Sequence, residues 1–140
     1  MSEDNGLITV RSAHSVAETI ERLVAAVTVR GLTVFARIDH AAGAARAGLD
    51  LRPTLLVIFG NPTGGTPLME DRQTAGVDLP VKALAWEDAD GAVWLTYNDP
   101  DWLARRHDLG PASAGAVAAI AAGMAAVVAE AAGASAPAAG

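Results

Sequence analysis

Five polar residues stand at or near the ends of apolar runs, and their types could do chemistry: Asp39, His40, Asn61, Lys82 and Asn98. A carboxylate beside an imidazole, as in Asp39-His40, is the raw material of an oriented base. Neighbouring residues on a strand point to opposite faces, however, so the two are not expected to bond each other. Asp39 is also a good helix cap, which is the competing structural role. Lys82 interrupts an apolar run. Facing inward it needs a partner or a lowered pKa, and facing outward it lays its stem along Trp86. Asn61 belongs to the glycine-rich turn Gly60-Asn-Pro-Thr-Gly-Gly-Thr66. That turn lacks the lysine of a phosphate-binding loop and the spacing of a dinucleotide fingerprint, so backbone geometry explains its glycines. Asn98 precedes Asp99-Pro100 and reads equally well as a turn residue.

Other chemistries are excluded or unsupported. The chain has no cysteine, hence no thiol nucleophile, thiolate metal site or disulfide. His14, His40 and His107 are its only histidines, and they lack metal-ligand spacing, so no metal and no cofactor is expected. No G-x-S-x-G elbow occurs.

The elements that must position these residues follow from periodicity. Residues 7–11 alternate as a strand. Ser15-Val-Ala-Glu18 is a capping box, in which the glutamate reaches back to the cap. Val16, Ile20, Leu23, Val24 and Val27 continue it as a helix that Gly31 stops. A strand over 32–38 leads to a short alanine-rich helix capped by Asp39. Residues 54–59 are apolar on both faces and read as a central strand. Thr66-Pro67 predicts the start of a helix running to about Thr74, with Gly64-Gly65 as a flexible joint before it. Residues 81–86 and 92–97 flank an Asp-Gly hairpin signal. A turn or short helix follows to about Arg106. Ser113 predicts the cap of a last helix with Val117, Ile120, Met124, Val127 and Val128 as its stripe. The result is an α+β protein of two layers: a largely antiparallel sheet of about five strands with both longer helices on one face. Ile20, Leu23, Val57, Phe59, Leu84 and Leu95 are the expected core.

With 140 residues the chain fits one domain, placed at 7–132 between disordered ends at 1–6 and 133–140. A net charge of −6 argues against nucleic acid as a partner. The N-terminal MSEDNG lacks the basic start of a secretory signal. Residues 114–129 read as too short and too alanine-rich to span a membrane. A cytoplasmic protein that binds neither nucleic acid nor membrane is therefore expected.

Five blocks carry a family resemblance: VFARIDH (34–40), AARAGLDLRPT (44–54), FGNPTGGTPLM (59–69), DLPVKALAWED (78–88) and VWLTYNDPDWLARRH (93–107). In this order they resemble the bacterial domain of unknown function 302, over nearly the whole chain. The resemblance implies a β-α-β4-α order similar to TATA-binding-protein-like folds, and a homodimer. It implies no established activity. Two functions remain open. One is a small-ligand-binding or interaction module, with Asp39, His40, Asn61, Lys82 and Asn98 converging at strand ends between walls of Phe59, Trp86 and Trp94. The alternative is an enzyme with Asp39 or His40 as base and Lys82 as electrophilic partner. Alternation puts Trp94 opposite to Val93 and Leu95. Trp86 and Trp94 are therefore expected on the uncovered side of the sheet, where a partner copy would sit.

Overall fold

The computed structural model describes residues 5–133. Five strands, β1 (Leu7–Ser12), β2 (Thr33–Asp39), β3 (Thr54–Gly60), β4 (Val81–Glu87) and β5 (Val93–Asn98), form one sheet in the order β1-β5-β4-β3-β2. Every neighbouring pair is antiparallel. Two longer helices, α1 (Val16–Val29) and α5 (Ala114–Ala132), pack on each other and on the same face of this sheet. Short helices α2 (His40–Arg46), α3 (Pro62–Asp71) and α4 (Pro100–Arg106) fill the connections.

Parity decides what the helices cover. Val57 and Phe59 on β3, Ala83 and Ala85 on β4, and Val93, Leu95 and Tyr97 on β5 all point inward and are buried. Ile20, Leu23 and Val27 of α1 and Met124, Val127 and Val128 of α5 meet them in one cluster. Leu84, expected in this core, lies on the other face and is only half-buried. It alternates with Ala83 and Ala85, whose small side chains give the central strand its inward parity. Trp86 and Trp94 share the outer face with Leu84, as expected. Their rings stack with centroids 6.3 Å apart.

Several local expectations are corrected. Helix α3 starts five residues earlier than the Thr66-Pro67 signal suggests, because Asn61-Pro62 is an equally good cap and first position. The Asn61 side chain accepts from the Thr63 amide at 2.9 Å. Gly64 and Gly65 thus lie inside the helix, and Gln73–Asp78 forms a separate 3₁₀ segment. Glu18 pairs with His14 at 3.3 Å instead of reaching back to the cap, although the Ser15 hydroxyl does accept from the Glu18 amide. Ser113 caps nothing; its hydroxyl donates to Asp71 Oδ2 at 2.7 Å. Gly6, assigned to a disordered end, is buried beneath the Trp102 ring, and its carbonyl accepts from the Asp99 amide at 2.7 Å. Gly133 ends α5 in a left-handed conformation, as its place after the last apolar stripe predicts. The rest of both expected disordered ends, 1–4 and 134–140, lies outside the described residues.

Among the described residues, Pro111–Ala132 is long and apolar enough to cross a membrane by length and composition. The stretch judged too short in the sequence is extended by its leading 3₁₀ turn and last helical turn. Its Val117, Met124, Val127 and Val128 are nevertheless packed inside the fold.

Candidate functional site

A cavity of about 570 Å³ opens between the end of β3, α3, the 3₁₀ segment and α5. Three local features of the sequence produce it. The register between β2 and β3 slips between Val34 and Ala36, a bulge that leaves Phe35 50% exposed at the rim. Helix α3 then packs against the 3₁₀ segment and α5, with Gly64 and Gly65 presenting no side chains. On α5 the residues facing the space include Ala116, Ala119 and Gly123, one helical face at spacings of three and four. A Cβ placed on Gly123 would meet nothing within 4 Å. Phe59, Val81, Ile120 and Met124 make the floor.

The five sequence-predicted residues do not converge. Asp39 caps α2, accepting from the Ala42 amide at 2.9 Å, and His40 opens that helix in solvent. Both sit at the end of the sheet away from the cavity. Asp39 is level with Leu55 on β3 and Lys82 with Ile58, two strands across. Their backbones are therefore about 14 Å apart, and their side chains leave opposite faces. Lys82 is outward and donates to the carbonyls of Pro80 at 2.9 Å and Asp78 at 3.3 Å. Partial burial lowers its pKa, with the Asp78 charge opposing. Asn98 ends β5 opposite Leu7. Of the five, only Asn61 lines the cavity. Phe59 is a wall as expected, whereas Trp86 and Trp94 lie on the far side of the sheet.

Residues 8–131 match the family described as domain of unknown function DUF302. The chain belongs to the DUF302 family. A crystal structure of an uncharacterized conserved DUF302 protein from Bacillus stearothermophilus superposes with a TM-score of 0.77 at 23% identity, covering 88% of this chain and 95% of that one. At that identity the likeness concerns the fold. The chain is also 58% identical over 130 residues to "Fluoride-specific ion channel FluC 1" of Brucella suis biovar 1 (strain 1330), covering 93% of this chain and 51% of that protein. The protein of the same name from Brucella abortus biovar 1 (strain 9-941) matches equally, with 48% of its length covered. The chain spans about half the length of the curated relatives it matches.

This DUF302 domain also carries a polar cluster that the sequence reading missed. His107, whose side chain is 8% exposed, places Nε2 2.6 Å from Asp78 Oδ2. Its Nδ1 lies 3.2 Å from the Thr74 hydroxyl. The carboxylate favours the proton on Nε2, so Nδ1 accepts from Thr74. Arg106 reaches the same carboxylate at 3.3 Å. Next to it, Asp71 Oδ2 accepts from the Gly110 amide at 2.9 Å as well as from Ser113. The Ser113 hydroxyl, followed by the Gly110 amide, holds the Asp71 carboxyl below the usual carboxylate range. Together these contacts brace the outer wall of the cavity against α4 and the start of α5. Asp78 and His107 are far apart in the chain, at the outer ends of two different family blocks, 78–88 and 93–107. The only signal was two titratable residues at the ends of short elements.

Proposed function

We propose that this DUF302 domain is a small-ligand-binding module that acts as a homodimer, with the ligand held between α3 and α5. The cavity carries the reading. It has the volume of small-molecule sites, an apolar lining and a few polar groups at its mouth. The acid–base alternative loses its support, because Asp39 and Lys82 leave opposite faces of the sheet. Fluoride, the ion in the name of the Brucella relatives, is strongly hydrated and would need N–H or cationic donors. At the cavity mouth Asn61 already engages the amides of Thr63, Gly64 and Gly65.

The dimer reading rests on the outer sheet face. Ile38, Leu56, Ile58, Leu84, Trp86 and Trp94 lie there without helical cover. The polar groups among them are satisfied within the chain. Trp86 Nε1 donates to Thr96 at 2.8 Å, Trp94 Nε1 to Asp88 at 2.9 Å, and the hydroxyls of Thr9 and Thr96 are 2.9 Å apart. Covering this face with a second copy would strand none of these groups, and leaves Lys82 and Arg11, which share the face, as the charges such an interface must accommodate.

Sedimentation equilibrium at micromolar concentration tests the assembly. A dimer mass that Leu84→Glu converts to a monomer mass is expected, and a monomer mass for the unaltered chain refutes it. A thermal-shift screen against small metabolites tests the ligand, since a molecule bound to the folded state alone raises the melting point. Hits that persist when Ala119→Leu fills the cavity would place binding elsewhere.

A further inference from the structure

Resting on that reading of the cavity, we infer the class of its ligand: an uncharged, lipophilic molecule of about 15–20 non-hydrogen atoms, at roughly 30 Å³ each. The size follows from the volume of about 570 Å³. The class follows from what the walls offer. None of the residues lining the cavity is charged. Most polar groups at the mouth are engaged with one another. Asn61 Oδ1 accepts from the Thr63 amide at 2.9 Å and the Thr63 hydroxyl at 2.7 Å. The Asn61 carbonyl accepts from the amides of Gly64 at 2.8 Å and Gly65 at 3.2 Å. The Thr66 hydroxyl donates to the Pro62 carbonyl at 2.7 Å.

The start of α3 would otherwise be an anion site, because free amides and the helix dipole favour negative charge. Here Asn61 occupies those amides. A carboxylate or phosphate entering the cavity would lose its water and meet only the neutral Asn61 carboxamide N–H at the mouth, and an ammonium would meet no carboxylate. A neutral molecule avoids both costs. The empty space is also built by small residues along one helical face of α5, and Gly123 points into it. Met69 of α3 and Met124 of α5 both line the cavity, and their unbranched side chains adapt to an irregular apolar shape.

Three probes with the same chain length separate the outcomes: decan-1-ol, decanoate and decylammonium, titrated at pH 8 into the full chain and into Gly123→Leu. Decan-1-ol should bind at least about tenfold more tightly than either ion, a difference of about 1.4 kcal/mol. Gly123→Leu should weaken decan-1-ol at least about tenfold. The same substitution should leave the unliganded melting point unchanged or higher, since its side chain enters open space. Decanoate or decylammonium binding as tightly as the alcohol, with both weakened by Gly123→Leu, overturns the neutral class and leaves the cavity as the site. Binding of all three that ignores Gly123→Leu overturns the location. If no probe binds and Gly123→Leu only raises the melting point, the ligand reading of the cavity falls too.

Discussion

Phe59→Ala is the substitution whose cost most directly measures how the cavity and the core share one wall. Phe59 is 1% exposed on the inner face of a central strand, yet its ring also borders the cavity. A fully packed phenylalanine truncated to alanine costs about 3–5 kcal/mol, the sum of lost transfer energy and a void term of about 24 cal/mol per Å³. The void term is reduced here, because contacts on the cavity side are already absent from the native protein. The transfer term of about 1.5–3 kcal/mol is retained, because no water reaches the ring. The expected loss is therefore about 3 kcal/mol, at the low end of the range. With an unfolding entropy of about 2.1 cal/mol/K per residue, that corresponds to a fall in melting point of about 10 °C. Urea unfolding at one protein concentration, with an unchanged dependence on denaturant, reads the free energy. Leu95→Ala, 0% exposed and remote from the cavity, is the control with a full void term. A Phe59→Ala loss under about 1 kcal/mol would refute the reasoning, because even the transfer term would then be missing. A loss above about 5 kcal/mol would show that the native cavity collapses onto the ring.

Gly6→Ala should destabilise the fold by about 1–3 kcal/mol, as overpacking does. Its Cβ would come within 2.4 Å of the Trp102 ring on a backbone with φ of +84°. A thermal melt unchanged within 1 °C would contradict that contact. Acid sensitivity should fall in the double variant Asp71→Asn and Asp88→Asn. Asp71 is held low as described, and Asp88 is held low first by the Trp94 indole and then by the Ala92 amide. Depressed carboxyls contribute stability that is present above the usual carboxylate range and lost as pH falls through the folded-state values. The acid limb of the stability curve should therefore flatten in the double variant, and an unaltered limb would deny both carboxylates a role. His107→Ala should cost about 1–3 kcal/mol by leaving Asp78 short of a partner. An unchanged denaturation midpoint would show that the brace is idle.

The parts of the fold that depend on neighbours in sequence were legible. Ser15, Asp39 and Asp99 cap helices because cap residues act within one turn. The hairpin after Glu87 follows its Asp-Gly signal, and Trp86 and Trp94 share a face by simple alternation. Leu84 was misplaced because alternation gives the parity within β4 but not which parity faces the helices. That choice is made by small residues flanking Leu84 and by partner strands. The start of α3 was missed because two cap-proline signals lie five residues apart, and tertiary packing selects between them. The candidate site was scarcely legible. Its volume comes from what Ala116, Ala119 and Gly123 lack, and in sequence they are three small residues among many. The Asp78–His107 pair joins elements whose meeting depends on the whole sheet. Asp39 and Lys82 looked like partners only while the strand order was unknown.

The order β1-β5-β4-β3-β2 has a consequence for the chain as it is being made. Strands β2 to β5 neighbour one another in the order in which they leave the ribosome, so each can pair with its predecessor as it emerges. β1 emerges first but pairs with β5, about 80 residues later. At about 5–20 residues per second, β1 waits roughly 4–16 s for that strand. α1 can pack on β2 to β4 as they emerge, but its side facing α5 waits longer, and the Ala13 amide closes onto the Ala132 carbonyl at 2.9 Å. Until α5 is made, the side of α1 that meets it stays uncovered. Completion of this domain joins its first and last elements.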